Sequence, residues 1–208
     1  MIGKADQEKK FLVHQSLLIN RSNFFKKALS GSWAEAKDRT VSLPEDEPSV
    51  FHIYIHLLYT DQIAVQPNAF GVSESKIDTE TERLTLAKLY VLAEKLQDAK
   101  SKDKTLAGVM GSCYVKPGGK RYSLTAEFVR TIYGGTPTGS MARKLTVDHF
   151  VEQGSGALFK TDDDQEGSTW PVEFLQELLA DVLDRRATLN DTFADGDATP
   201  YMEPRDTA

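Results

Sequence analysis

Ten consecutive positions, Val50 to Tyr59, limit what this chain can fold into more than any other stretch. They read VFHIYIHLLY, apolar throughout except for His52 and His56. A helix that is apolar on all sides has no face for water, so it must lie at the centre of a packed domain. Ten residues cannot cross a bilayer, which takes about 20. Pro48 stands just before the run, where a first helical turn tolerates a missing amide. Other elements must therefore wrap around this helix.

The flanking sequence supplies them. Phe11-Leu12-Val13 alternates at period two and reads as a short strand. Leu17, Leu18, Phe24, Phe25, Ala28 and Leu29 then follow helical spacing, with a break near Asn20–Ser22 where Ser22 is placed to cap the second piece. Thr40-Val41-Ser42-Leu43 reads as another strand, ended by Pro44, which has no amide for a ladder. Between Ile63 and Arg83 the pattern dissolves into small and polar residues, and 64–83 reads as an exposed, disordered insertion. Helical spacing returns with Leu84, Leu86, Ala87, Leu89, Tyr90, Leu92, Ala93 and Leu96, and a further helix runs from Lys100 through Val109 and Met110. The expected core is Phe11, Val13, Leu17, Phe25, Phe51, Ile55, Leu58, Leu89 and Leu92.

The order strand, helix pair, strand, buried helix, closing on Tyr59-Thr60-Asp61-Gln62-Ile63, resembles the BTB/POZ family. His14 before Leu17-Leu18, then Ser22 and Phe24-Phe25, matches that family's entry from strand to helix, and residues 84–97 match its core-closing helix. The string from Ile132 to Asp148, I-Y-G-G-T-P-x-G-S-x-x-R-x-L-x-V-D, looks like the extension of its fungal members. The resemblance implies an α+β fold: a helical cluster capped at one edge by a short three-stranded sheet, with a helical C-terminal extension. The domain spans 1–110, the extension 111–160, and 161–208 holds an acidic linker, an amphipathic helix and a disordered tail. Met1–Gly3 is a stub where family members carry a longer strand, so the strand-exchanged homodimer is not expected.

The extension reads as helical. Ser123 is placed to cap a helix bearing Phe128, Val129, Ile132 and Tyr133, stopped by Gly134-Gly135. Met141–Gln153 carries Leu145, Val147, Phe150 and Val151, with Gly154 past its end. Beyond the linker, Val172, Leu175, Leu178, Leu179, Val182 and Leu183 form one apolar stripe. Folding back onto its own domain is the expectation for that helix, and docking on a partner the other reading.

Charge and chemistry narrow the function. Residues 161–208 carry thirteen acids against three arginines, whereas the first 160 residues are net +4, so the acidic end is not a nucleic-acid surface. Lys116, Lys120 and Arg121 lie in a Pro-Gly-Gly loop without aromatic residues between them and read as solvated. Cys113 is the one cysteine and has no nucleophile motif around it, which fits a reducing compartment, cytoplasm or nucleus. No run is long enough to span a membrane and none has the charged-then-apolar pattern of a leader, so no targeting or spanning segment is expected. His52 and His56 are spaced i, i+4, but the glutamate of metal-assisted hydrolysis is missing between them, and no metal or cofactor is expected. His14 is expected in the core, its ring bonded to backbone.

With no catalytic constellation in view, the resemblance implies a non-enzymatic protein-interaction module that binds copies of itself or a cullin scaffold. In the latter case it is a substrate adaptor for ubiquitin ligation. The family's cullin-binding members carry an apolar residue, any residue, then Glu before the third strand, and Trp33-Ala34-Glu35 stands at the matching place. The alternative is an oligomerising transcription or chromatin co-regulator.

Overall fold

The computed structural model describes residues 1–4, 6–30, 34–64, 76–113, 123–159 and 169–185. Along these run helices α1 (Gln15–Arg21), α2 (Asn23–Ala28), α3 (Ala34–Asp38), α4 (Pro48–Thr60), α5 (Lys76–Lys95), α6 (Ala99–Cys113), α7 (Ala126–Gly135), α8 (Met141–Gln153) and α9 (Val172–Arg185). A 3₁₀ turn, Gly156–Phe159, follows α8.

The expected α+β arrangement is not what forms. Among the described residues there is no strand, and the sheet is reduced to two isolated bridges meeting at Ile2. Ile2 exchanges backbone bonds with Lys9 (2.9 and 2.8 Å), while Leu43 donates to Met1 O (2.9 Å) and accepts from Gly3 N (3.1 Å). Neither pairing lengthens. Gly3 turns away at φ +99, Gln7 N closes a turn on Lys4 O, and Pro44 has no amide to offer after Leu43. Phe11–Val13 keeps its alternation, with Phe11 and Val13 half-buried and Leu12 exposed, but among the described residues no ladder joins it to a neighbour. Phe11 meets Phe51 edge-on at 5.2 Å. Alternating burial needs only an extended backbone beside a core. A ladder also needs a partner of matching length.

Helix α4 is buried along a wide face through Val50, Phe51, Tyr54, Leu57 and Leu58, with Tyr54 and Leu57 reaching complete burial. Of the expected core, Phe25, Phe51, Leu58, Leu89 and Leu92 are buried, and Phe11, Val13, Leu17 and Ile55 sit half-buried at its margin. Leu58→Ala is expected to cost roughly 2–5 kcal/mol in chemical denaturation, from lost transfer energy plus the cavity. A loss below about 0.5 kcal/mol would mean that α4 is not the buried helix.

The element shared by both cores is α5. Leu89, Leu92 and Leu96 face the cluster of α1, α2 and α4, whereas Leu86, Ala87 and Tyr90 face that of α6, α7 and α8. Its first residues fall within the stretch read as an insertion, where Glu80 and Glu82 supply good helix formers. Residues 65–75 lie outside the described residues. Arg83, buried, donates to Ser112 O (2.7 Å) and Ser123 O (3.3 Å), tying α5 to the end of α6 and the start of the extension.

In the extension, Thr125 rather than Ser123 caps α7, its Oγ1 accepting from Phe128 N (3.3 Å). An added Cβ at Gly135 would overlap Val91, so this glycine lets α7 approach α5 closely. Ser140 caps α8 through Ala142 N (3.3 Å). Helix α9 lies on α7 and α8, anchored by the fully buried Phe174.

Candidate partner-binding site

Of the candidate pair, Glu35 falls in the first turn of α3 and lines a cleft with Gln97, which lies where two helix ends meet. Helix α5 finishes in a Schellman turn: Gln97 adopts φ +53, its amide donates to Glu94 O (3.0 Å), and Asp98 N reaches Ala93 O (3.0 Å). The carbonyls left over accept from the start of α2. Phe24 N donates to Leu96 O (3.3 Å) and Asn23 N to Gln97 O (3.4 Å). Ser22 caps α2 through Phe25 N (3.1 Å) and turns its own hydroxyl proton to Leu96 O. This end-to-end junction fixes Phe24 and Gln97 on one wall.

The opposite wall is α3 and the segment after it. Arg39 takes φ +49, Thr40 N donates to Glu35 O (3.2 Å), and Thr40 Oγ1 donates to Asp38 O (3.1 Å), so the chain reverses into Thr40–Ser42. Between the walls lies an open cleft of ≈ 880 Å³. Phe24, Ala28 and Val41 give it an apolar floor, and Lys27, Glu35 and Asp38 a charged rim. Glu35 sits in the first turn of α3, exposed to solvent. Trp33 lies outside the described residues. Phe24 and Gln97 were not singled out by sequence reasoning. Phe24 reads simply as core, and nothing in its spacing shows that one edge of its ring lines an opening.

Such a cleft offers apolar area framed by both signs of charge, which suits another polypeptide. Among the described residues no group of His, Cys, Asp and Glu stands where it could hold a metal ion. His14 is exposed rather than in the core. Its backbone N–H donates to Tyr59 OH (3.2 Å), and its Nδ1 is hydrogen-bonded to the same phenol (2.6 Å), so the ring bonds a side chain and not the backbone. The reason is the exposed end of α4, which carries Tyr59 out over the start of α1. His56 Nδ1 lies 3.1 Å from Gln62 O and helps close the turn after α4. Burial raises the thiol pKa of Cys113, which keeps it a poor nucleophile.

A BTB/POZ domain profile matches residues 2–105, half of the chain, and the chain belongs to the BTB/POZ domain family. No curated protein matches the chain. Domains of this family bind other proteins and self-associate. No helix among the described residues is long and apolar enough to cross a membrane.

Proposed function

We propose that this chain is a substrate adaptor that presents the Trp33–Glu35 edge to a cullin scaffold of a ubiquitin ligase. One observation supports it above others: Glu35 is exposed on the first turn of α3, at the rim of a cleft with an apolar floor. An indole two residues before it would supply the anchor that interface hot spots use. Cytoplasm or nucleus is where such an adaptor works and where Cys113 stays reduced.

Trp33→Ala is expected to weaken cullin binding by roughly 2 kcal/mol or more, about thirtyfold, with the melting temperature nearly unchanged. Glu35→Lys should weaken it too and make it more salt-dependent. Titration calorimetry and thermal denaturation on the same variants check this. Unchanged binding with unchanged stability removes the adaptor reading from this edge. The co-regulator reading draws on Leu12, 86 % exposed beside the half-buried Phe11, as an apolar contact for self-association. Light scattering across a dilution series, with and without Leu12→Ser, decides that.

A further inference from the structure

Helix α9 meets α7 and α8 through a narrow contact. Of its 14 residues only Phe174 is buried. The Phe174 ring centroid stands 5.1 Å from that of Phe150 and 5.6 Å from that of Tyr133, with Trp170 and Leu178 half-buried four positions to either side. Val172, Leu175, Leu179, Val182 and Leu183, expected in the stripe that faces the domain, are exposed instead, and of that stripe only Leu178 packs inward. An element with so few buried contacts opens at the low end of a protein's stability range.

The surface beneath α9 stands without it. Arg143 is fixed by the end of α7: Nη2 donates to Tyr133 O (2.9 Å) and Thr136 O (2.6 Å), and Nε to Thr136 Oγ1 (3.3 Å). Nη1 remains for a carboxylate and takes Glu173 (2.6 Å). Beside it the Tyr133 hydroxyl donates to Glu177 (2.6 Å), and the rings of Tyr133 and Phe150 seat Phe174. Groups held in place beforehand lose little freedom when a ligand arrives. Together they read Trp170, Glu173, Phe174 and Glu177, the string Trp-x-x-Glu-Phe-x-x-Glu.

We propose that the α7–α8 face is a docking groove for a helix carrying this string, that α9 fills it as an exchangeable occupant, and that a partner protein's helix of the same pattern displaces α9. The α9 of a second copy would make the same contacts and lose translational freedom besides, so it does not outcompete the α9 already tethered there. The groove lies outside residues 2–105 and involves neither Trp33 nor Glu35.

The test uses the full chain and, as the probe for a partner helix, a fluorescein-labelled peptide of residues 169–185. Hydrogen exchange should show the α9 amides exchanging at least about tenfold faster than those of α7 and α8. Phe174→Ser in the full chain spoils the tethered occupant and leaves the groove residues on α7 and α8 in place. By fluorescence anisotropy this variant should bind the peptide with a Kd in the roughly micromolar range. The unaltered chain should bind it at least about tenfold more weakly, because α9 competes at high effective concentration. A peptide carrying Phe174→Ala should bind the variant at least about tenfold more weakly than the parent peptide does. Exchange of α9 in step with α7 and α8 overturns the proposal. So does loss of their protection in Phe174→Ser, which would make α9 part of the core. No binding of the parent peptide to the variant up to about 100 μM, or equal binding of the alanine peptide, overturns it too. A dimer of the unaltered chain that Phe174→Ser abolishes would assign the groove to the α9 of a second copy and overturn it equally.

Discussion

Replacing Arg143 by methionine is expected to cost roughly 3–5 kcal/mol and to loosen α9 from the domain. The side chain leaves α8 and ends, buried, at the C-terminus of α7, where helical carbonyls lack partners. Its Nη2 donates to Tyr133 O (2.9 Å) and Thr136 O (2.6 Å), and its Nε to Thr136 Oγ1 (3.3 Å). The guanidinium carbon stands 4.5 Å from the Tyr133 ring centroid, and Nη1 reaches Glu173 on α9 (2.6 Å). A cation at a helix C-terminus is favourable, and only the planar fork spans this many acceptors at once. Arg143→Lys should therefore recover little. Glu173→Gln should cost under about 1 kcal/mol, because that carboxylate is 65 % exposed and screened by water. Urea unfolding gives the energies, and limited proteolysis should show faster cleavage within α9 in the methionine variant. A loss below about 1 kcal/mol would mean that water replaces the guanidinium at these carbonyls.

A comparable loss, roughly 3–5 kcal/mol, is expected for Asp98→Ala. Asp98 is fully buried where α5 hands over to α6. It caps α6, Oδ1 accepting from Ser101 N (3.0 Å), and its Oδ2 accepts from Ser101 Oγ (2.7 Å) and Tyr54 OH (3.1 Å). Arg21 adds a charged contact at 3.4 Å. Alanine removes the cap and leaves a buried phenol and a guanidinium short of an acceptor. Burial, and then the Asp98 charge, holds the Tyr54 phenol above the usual tyrosine range; burial and Glu177 do the same to Tyr133. An unfolded tyrosine ionises near 10, so above about pH 10 the folded state keeps protons that the unfolded state has lost. This contribution to stability is present below pH 10 and disappears as pH rises. Asp98→Asn, which keeps the shape and drops the charge, should make the alkaline loss less steep and move phenolate absorbance to lower pH.

Much of the helical frame was legible because its causes are local. The apolar run of α4 and the cap at Ser22 each act within a turn or two of chain, so spacing alone exposes them, whereas Gly134 and Gly135 do not stop α7, which runs through both to Thr136. The cap at Thr125 was missed by two residues, since Ser123 is an equally good acceptor and only its carbonyl, taken by Arg83, has a fixed use. The candidate site was legible only as a string. Glu35 stands exposed, as a binding residue must, but the cleft beside it comes from Phe24, Val41 and Gln97, which meet only once two helix ends are joined.

Two outcomes belonged to tertiary structure alone. Residues 11–13 and 40–43 have strand alternation, yet a ladder depends on the length and direction of a partner segment, and at Ile2 that partner supplies a single bridge to each side. Helix α9 carries apolar residues on both faces, and periodicity picked the longer stripe. The shorter face won, because Phe174 finds the ring pocket of Tyr133, Phe150 and Trp170 while Glu173 and Glu177 reach Arg143. The sequence thus determined that α9 is amphipathic. Which side meets the domain was decided by the shape and charge of the surface it lands on, and that surface is assembled largely from Tyr133, Arg143 and Phe150 on other helices.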